Sequence, residues 1–266
     1  MNKESSNLIE VRSKRLVTPN LKPDHELEDG VEDRQSKVPG FEQNKIATLN
    51  VLMVGAGGLG SEIGEGLVRK GVGALYILDP DAVELSNLNR QKFHKEDLYK
   101  NKAHCLAKNL QNEGAMGTKL ISQGISFQQA VKEQPHLMPD IVICGVDNDP
   151  ARIAVSRFCV VKEIPAIFTA VSMEADHGYV MIQKPGEACW GCAFPESVNN
   201  NREPCPGSPA VKDILKLMGA IVLYAVDSLF MERVITWSYR DVYLSDPSFD
   251  SYGSISKKDD CPICGN

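Results

Sequence analysis

The sequence lacks the long uninterrupted hydrophobic run that a membrane-spanning helix requires. Its longest apolar stretch, residues 217–226, is flanked by Lys216 and Asp227 and is too short to cross a bilayer. The first residues, Met1 to Ser6, are polar and do not form the apolar segment of a secretory signal peptide. We therefore expect a cytoplasmic protein that does not bind membranes.

Positive charge is also scarce, since 29 Lys and Arg residues face 35 Asp and Glu residues, for a net charge of -6. Without a basic patch, a net-acidic surface does not attract nucleic acid, so no nucleic-acid partner is expected. In a reducing compartment, the eight cysteines are predicted to be metal ligands, buried thiols or nucleophiles rather than disulfides. The length suits one large α/β domain with extensions.

What the sequence does contain is an abrupt change from apolar residues to glycines. Residues 51–54 predict a buried strand, and Gly55, Gly57, Gly58 and Gly60 follow it in a G-x-G-x-x-G pattern. In this pattern Gly55 lets the chain turn, and Gly57 lets backbone N–H groups approach a phosphate closely. Gly60 lets the following helix pack against the strand. The pattern predicts a nucleotide-binding turn at a helix N-terminus.

A second apolar run, residues 74–78, ends at Asp79, at about the 20-residue spacing expected of a carboxylate that binds ribose hydroxyls. Residues 61–70 lie between the two runs and have apolar side chains at helical spacing, and Gly71 follows as a helix terminator. A strand, a helix and a second strand predict a parallel pair with a right-handed crossover.

The alternation of strands and helices continues along the chain. Further strands are predicted at residues 119–121, 140–144, 166–170, 179–182 and 241–244, and further helices at 41–48, 100–110, 150–162 and 210–234. The fold class is therefore α/β, with a Rossmann-like parallel or mixed sheet and helices on both faces. The carboxyl ends of parallel strands share one edge, so Gly55, Asp79 and Asp147 are expected to meet there.

The N-terminal region has a different composition. Residues 1–36 are rich in charge and lack apolar periodicity, which predicts a loosely ordered tail or an arm lying across a neighbour. Residues 37–266 form the predicted domain.

Two C-x-x-C pairs lie near the C-terminus, Cys189 with Cys192 and Cys261 with Cys264. Each pair can present two thiolates to one tetrahedral Zn²⁺, so the sequence predicts a structural four-cysteine zinc knuckle without a catalytic role. The alternatives are a redox disulfide within one pair, or unrelated buried thiols.

Taken together, these motifs resemble the ThiF, MoeB and HesA family, the prokaryotic relatives of ubiquitin-activating enzymes. The resemblance rests on residues 33–35 (Asp-Arg-Gln), 55–61, 79–81, 85–91 (Leu-Ser-Asn-Leu-Asn-Arg-Gln), 102–103, 147–148 with Arg152, and both C-x-x-C pairs. It implies an adenylyltransferase, in which ATP and the C-terminal carboxylate of a ubiquitin-like protein give an acyl-adenylate and pyrophosphate.

The chemistry of adenylation agrees with the residues present, because a carboxylate that attacks a polyanion needs charge neutralisation and alignment. Arg90 and Lys102 are suited to bind phosphate oxygens. Asp147 is the candidate Mg²⁺ ligand, and Asp79 is expected to bind the ribose. Asn87 and Gln91 are expected to orient the phosphates or the incoming tail.

The resemblance further implies that Arg34 reaches into the site of a second subunit, and hence that the protein is a homodimer. Each assignment has a structural alternative. Arg90 and Lys102 are also explained as solvated surface charges, Asp147 and Asn148 as a helix cap, and Arg34 as a partner of its acidic neighbours.

Cys205 precedes the long predicted helix, where ThiF-type members carry a reactive cysteine, and exposure favours thiolate chemistry. The flanking Pro204 and Pro206 depart from the expected pattern. Transfer of the acyl group to Cys205 and a reaction that stops at the adenylate therefore both stay open.

Three other functions compete with this interpretation. A relative resembling the microcin-type enzymes would adenylate a short precursor peptide instead of a ubiquitin-like tail, and a non-catalytic scaffold would only bind such proteins. A nicotinamide oxidoreductase is disfavoured because Tyr224 is followed four places on by Ser228, not Lys. A fourth function, that of a P-loop kinase, is excluded because Ser61 occupies the position of the required lysine.

Overall fold

The computed structural model describes residues 8–13, 30–199 and 209–265. Its strands form one nine-stranded sheet in the order β1-β4-β3-β2-β5-β6-β7-β8-β9. The strands are β1 (Ile9–Arg12), β2 (Asn50–Val54), β3 (Ala74–Leu78), β4 (Lys119–Gln123), β5 (Ile141–Cys144), β6 (Ala166–Val171), β7 (His177–Gln183), β8 (Tyr239–Tyr243) and β9 (Ser251–Gly253). The helices are α1 (Asp33–Ser36), α2 (Gln43–Ile46), α3 (Gly58–Lys70), α4 (Lys102–Leu110), α5 (Phe127–Glu133), α6 (Asp149–Lys162), α7 (Trp190–Ala193), α8 (Pro195–Asn199) and α9 (Lys212–Phe230).

The central strands of the sheet are parallel, and the strands added at its two edges pair antiparallel. Strands β4, β3, β2, β5 and β6 run parallel to one another. Strand β1 joins β4 antiparallel, and β7, β8 and β9 extend the other side antiparallel. This mixed sheet, with helices on both faces, confirms the predicted fold class.

The side chains of β2 alternate between the two faces of the sheet, and helices cover both faces. In β2, Val51 and Met53 pack into one core with side chains of α3, α4 and α9, whereas Leu52 and Val54 pack into a second core with side chains of α5 and α6. A strand buried on both faces has a continuous run of apolar residues in its sequence, as β2 and β5 do.

The direction of strand order reverses at β2. From β2 the chain proceeds to β3 and β4 on one side, and then returns to β5 on the other side. The turns that follow β2 and β5 therefore flank a crevice at the carboxyl edge of the sheet, which is where ligands bind in open α/β sheets.

Several elements differ from the sequence-based predictions. The charged N-terminal region contains β1 and α1, and no element was predicted there. Helix α5 and strand β9 were also not predicted, and α9 ends at Phe230, four residues before the predicted end at 234. Strand β1 is short and exposed, so its sequence carries little apolar periodicity and only its pairing with β4 defines it. Within the described ranges, no helix combines the length and apolar character of a membrane span.

Candidate nucleotide site and metal centre

The turn after β2 shows why its sequence is glycine-rich. Gly55 has a φ of +101°, which L side chains rarely adopt, and its N–H donates a hydrogen bond to the Leu78 carbonyl at 2.9 Å. A Cβ atom on Gly60 would lie 2.2 Å from the Gly55 carbonyl oxygen. Gly57 is the N-cap of α3 and has no side-chain cap, so the first N–H groups of the helix have no intrahelical acceptor. The turn has the geometry expected of an anion-binding loop.

Asp79 follows β3 and contacts this turn directly. Its Oδ2 accepts a hydrogen bond from the Ala56 N–H at 2.7 Å, and its Oδ1 accepts one from the Asp81 N–H at 2.9 Å. Burial raises the pKa of the Asp79 carboxyl, although these two hydrogen bonds oppose the rise. An ionised carboxylate has about four acceptor sites, so Asp79 retains capacity for a hydroxyl group.

Asn87 and Gln91 lie in the loop after Asp79 and have different environments. The Asn87 Oδ1 accepts the Glu84 N–H at 3.0 Å and so closes a short 3-10 helix, Leu85–Asn87. The Gln91 Oε1 is buried and has no hydrogen-bond partner among the residues that the structure describes. Its amide faces Gly57, where an added Cβ would lie 4.0 Å from Gln91 Nε2. A buried polar atom without a partner at an open glycine position fits a polar ligand.

The two predicted phosphate-binding cations are held differently. Lys102 begins α4, and its Nζ lies 3.0 Å from Asp81 Oδ2, in a side chain that is 14% exposed. The Lys102 N–H also donates to the Asp81 carbonyl, so the start of α4 is joined to the end of β3. The Arg90 guanidinium instead donates to the Ser86 carbonyl at 2.7 Å and to Asn89 Oδ1 at 3.0 Å, at the surface. The structure thus connects Lys102 with Asp79 through Asp81, and gives the Arg90 guanidinium only local contacts among those described.

Asp147 lies in the turn between β5 and α6 and is exposed. The turn reaches the glycine loop, because a Cβ on Gly55 would lie 3.0 Å from the Gly145 carbonyl oxygen. Asn148 supplies the helix cap, since its Oδ1 accepts the Ala151 N–H at 3.0 Å. Arg152 fixes the turn by donating to the Val146 carbonyl at 2.6 Å. The capping role predicted as an alternative therefore belongs to Asn148, and Asp147 is left facing solvent.

Arg34 lies far from the glycine loop of its own chain. It belongs to α1, and the neighbouring Gln35 Nε2 donates to the carbonyl of Lys70, the last residue of α3, at 3.2 Å. The glycine loop precedes the first residue of the same 13-residue helix, which spans about 18 Å at 1.5 Å per residue. The Arg34 side chain is 89% exposed, with Asp33 at 3.8 Å.

The four cysteines of the two C-x-x-C pairs converge as predicted. All four are buried, and their Sγ atoms lie within 4.8 Å of one another. The separations are 3.9 Å for Cys189 and Cys192, 3.5 Å for Cys189 and Cys261, and 3.4 Å for Cys192 and Cys264. A Zn–S distance of about 2.3 Å in a tetrahedron places sulfur atoms roughly 3.8 Å apart, so this donor set fits Zn²⁺. Cys205 lies outside the described residues.

Sequence reasoning missed three residues that connect the site to the helices around it. Ser61 Oγ donates to the Gly57 carbonyl at 2.8 Å and accepts the Lys92 N–H at 2.9 Å. Lys212, at the start of α9, donates to the Arg90 carbonyl at 3.1 Å. Ser61 and Lys92 had only the signal of lying in or next to a motif, and Lys212 had none, because the helices that bring these residues together are distant in the chain.

The fold and these sites together define a Rossmann-like α/β protein with a glycine-loop crevice and a cluster of four cysteines whose geometry fits a metal ion. The chain belongs to the ThiF family, whose model matches residues 32–234.

Individual relatives have low sequence identity to this chain. The chain is 29% identical over 234 residues to the adenylyltransferase and sulfurtransferase MOCS3 of Xenopus laevis, a match that covers 84% of this chain and 50% of that protein. It is 26% identical over 243 residues to the SAMP-activating enzyme E1 of Haloferax volcanii, covering 84% of this chain and 83% of that protein. The chain thus spans about half the length of the Xenopus relative.

A solved structure of E. coli MccB with ATP superposes with a TM-score of 0.69 at 19% sequence identity. The match covers 84% of this chain and 69% of that chain. At this identity the similarity establishes the shared fold alone.

Proposed function

We propose that the protein is an ATP-dependent adenylyltransferase that activates a carboxylate at the end of a small ubiquitin-like protein. The observation that carries the proposal is the convergence of the glycine loop, Asp79 and the unpartnered Gln91 amide oxygen at the switch point of a ThiF-family sheet. Relatives named as an adenylyltransferase and as an activating enzyme support the same chemistry. Use of ATP is consistent with the cytoplasmic location expected from the sequence.

The reaction joins two anions. A carboxylate oxygen of the acceptor forms a bond to the α-phosphorus of ATP, the bond from that phosphorus to the bridging oxygen breaks, and pyrophosphate leaves with the electron pair. The products are an acyl-adenylate and pyrophosphate. No proton transfer is needed at neutral pH, so the protein contributes mainly charge neutralisation and alignment.

The glycine loop and Asp79 would bind the nucleotide. The N–H groups at the start of α3 are directed to the phosphates, and the free acceptor capacity of Asp79 suits the ribose hydroxyls. Gln91 and Asn87 border the loop and would orient the phosphates or the acceptor tail. Gln91 has the stronger support, and specifically for the acceptor tail, since its unsatisfied amide oxygen can accept a hydrogen bond from an N–H group of that tail, whereas Asn87 already caps a 3-10 helix.

Lys102 and Arg90 would neutralise the phosphates. Lys102 is paired with Asp81, whose side chain is 63% exposed, so a phosphate can replace this carboxylate as the partner. Arg90 has neutral acceptors only, the Ser86 carbonyl and the Asn89 amide. A phosphate oxygen is a stronger acceptor for a guanidinium than either of them.

Asp147 would hold Mg²⁺, because it is a solvent-facing carboxylate in the turn that touches Gly55. When bound, Mg²⁺ neutralises phosphate charge and stabilises the leaving pyrophosphate.

Arg34 would act on the nucleotide of a second copy of the chain, which makes the proposed enzyme a homodimer. Its position at the far end of α3 favours action in trans over action in cis. Two exposed apolar side chains lie close to it in the chain, and a second copy would cover them: Val31 (51%) and Val38 (39%).

A zinc ion at the cysteine cluster would have a structural role. Four thiolates complete its coordination and leave no open position for a substrate. The cluster joins Cys261 and Cys264 near the C-terminus to the start of α7. Cys205 is a separate candidate, as the thiol that accepts the acyl group after adenylation.

A short precursor peptide is the second candidate acceptor. The fold matches that of E. coli MccB. A solved structure of MccB in complex with N-formylated MccA is similar to this chain with a TM-score of 0.67. The adenylation chemistry would be the same, and only the acceptor would differ.

Pyrophosphate exchange tests the proposal. Purified protein with Mg-ATP, labelled pyrophosphate and a ubiquitin-like protein ending in Gly-Gly should return label to ATP, and the same protein lacking its last residues should not support exchange. Exchange supported only by a short peptide would select the second acceptor. Wild-type protein that binds ATP but exchanges with neither class would overturn the function. Cys205→Ala should retain exchange while losing a thiol-sensitive acyl adduct.

A further inference from the structure

The loop that carries Arg90 and Gln91 contacts three helices through hydrogen bonds and ion pairs. Besides the Lys212 contact from α9, side chains of α3 and α4 contact the next residue, Lys92. Lys92 was not among the residues predicted from the sequence, and it has no direct contact with the glycine loop among those described.

Every polar group of Lys92 has a partner. Its N–H donates to Ser61 Oγ at 2.9 Å, and its carbonyl accepts from Asn109 Nδ2 at 2.9 Å. Its Nζ lies 2.7 Å from both Glu65 Oε2 on α3 and Glu113 Oε1 after α4. The Lys92 side chain is only 19% exposed, so these ion pairs are less screened than ordinary surface pairs.

The partners of Lys92 connect back to the glycine loop. Ser61, which accepts its N–H, donates to the carbonyl of Gly57 through the same hydroxyl. Gln91 is adjacent in the chain, and its side-chain amide approaches Gly57. The hydrogen bonds of the Lys92 backbone therefore fix the C-terminal end of Gln91, and so help to set the position of its side-chain amide relative to the glycine loop.

We propose that Lys92 is a positioning residue, whose ion pairs with Glu65 and Glu113 hold the Gln91 amide against the glycine loop in the geometry that binds ATP. This inference rests on the proposed function, because it takes the alternative in which Gln91 orients the phosphates of the nucleotide. Lys92 acts through Gln91 and does not touch the substrate.

Equilibrium binding of ATP measures the effect without an acceptor. Lys92→Met, which keeps the length of the side chain and removes its charge, should weaken the Kd for ATP by about tenfold, a change of about 1.4 kcal/mol. Lys92→Arg, which can still bridge the two carboxylates, should restore most of the affinity. In a Gln91→Ala background, Lys92→Met should cause little further loss, because the residue through which it acts is already gone.

The chain offers a matched control on the same carboxylates. Arg69 on α3 pairs with Glu65 at 2.9 Å and with Glu113 at 2.7 Å, but it does not belong to the loop. Arg69→Met should leave the Kd for ATP unchanged. Glu113→Gln provides a second variant if Lys92→Met does not fold, and it should weaken ATP binding in the same direction.

Three results would overturn the inference: unchanged ATP binding in Lys92→Met, an equal loss in Arg69→Met, or losses from Lys92→Met and Gln91→Ala that add fully. The proposed function fails separately, since it requires pyrophosphate exchange by the wild-type protein. Wild-type protein that binds no ATP would overturn both.

Discussion

Gly60 shows how much of the site depends on the absence of one methyl group. The first turn of α3 lies so close to the end of β2 that the Gly55 carbonyl occupies the space of a Cβ on Gly60. This close approach allows α3 to begin directly at the glycine loop. The shape of the loop therefore depends on residues that contribute no side chain.

We predict that Gly60→Ala destabilises the protein by about 1–3 kcal/mol, as overpacking of a close contact does. Alanine is the better helix former, so a destabilisation can only come from the contact with the Gly55 carbonyl. Chemical denaturation measures the change. Gly253→Ala is the matched control, because an added Cβ there meets no described atom within 4 Å, and stability should change by less than about 0.5 kcal/mol. Equal effects of the two substitutions would contradict the steric explanation.

Asp147 and Asn148 are neighbours with separate tasks. Asn148 caps α6, whereas Asp147 faces solvent beside the glycine loop. A change at Asp147 is therefore expected to affect chemistry and not folding.

We predict that Asp147→Asn lowers the rate of pyrophosphate exchange by about a hundredfold, because the site loses the charge that is proposed to bind Mg²⁺. The melting temperature should stay the same. Glu133→Ala serves as a control, since Glu133 is an exposed carboxylate at the end of α5, away from the carboxyl edge. Normal exchange by the Asp147 variant at limiting Mg²⁺ would remove the metal role.

At the scale of elements, the cysteine knuckle joins parts that are distant in the chain. The two pairs are separated by 72 residues, from Cys189 to Cys261, and α9, β8 and β9 lie between them. Closing so long a loop costs conformational entropy, which a metal ion can offset. A zinc ion bound by the four cysteines would therefore stabilise the C-terminal segment.

Removal of zinc is predicted to lower the melting temperature by several degrees, since each kcal/mol lost corresponds to about 2–4 °C for a chain of this size. Elemental analysis should find one zinc per chain. A chelator and the Cys264→Ser substitution should produce similar shifts, and only the first should be reversed by added Zn²⁺. Protein that contains no zinc and is unaffected by the chelator would disprove the assignment.

Helix α3 separates two functional positions by its own length. Its first turn carries the glycine loop, and its last residue contacts the segment of Arg34. A rigid helix keeps these positions apart, so the proposed role of Arg34 at the nucleotide requires the corresponding end of another molecule.

At the scale of the whole molecule, we predict that two inactive variants restore activity when mixed. If Arg34 acts in trans, Arg34→Ala and Arg90→Ala subunits form mixed dimers that each contain one complete site. Random pairing makes about half of the dimers mixed, so about a quarter of the wild-type exchange rate should return. Sedimentation should show a dimer for each variant.

A mixture that stays inactive after subunit exchange has been verified would favour a role for Arg34 within its own chain or in structure alone. A monomeric wild-type protein would contradict the homodimer directly.

Local sequence determined a large part of this molecule. The central strands and the glycine turn were predicted because buried strands are apolar throughout and because only glycine tolerates the φ of Gly55 and the contact at Gly60. The ion pairs of Lys92, the contact of Lys212 with the Arg90 carbonyl and the strand β1 were not predictable. Each depends on partners from other helices or strands, which sequence spacing does not reveal.

The residue types and the order of elements therefore set the fold class and the chemistry that the chain offers. Tertiary structure alone decided which side chains remain available for a ligand. It paired Lys102 of α4 with Asp81, which follows β3, and it placed Arg34 beyond the reach of its own glycine loop. The physical reason is that hydrogen bonds and distances between separate elements arise only when those elements pack together.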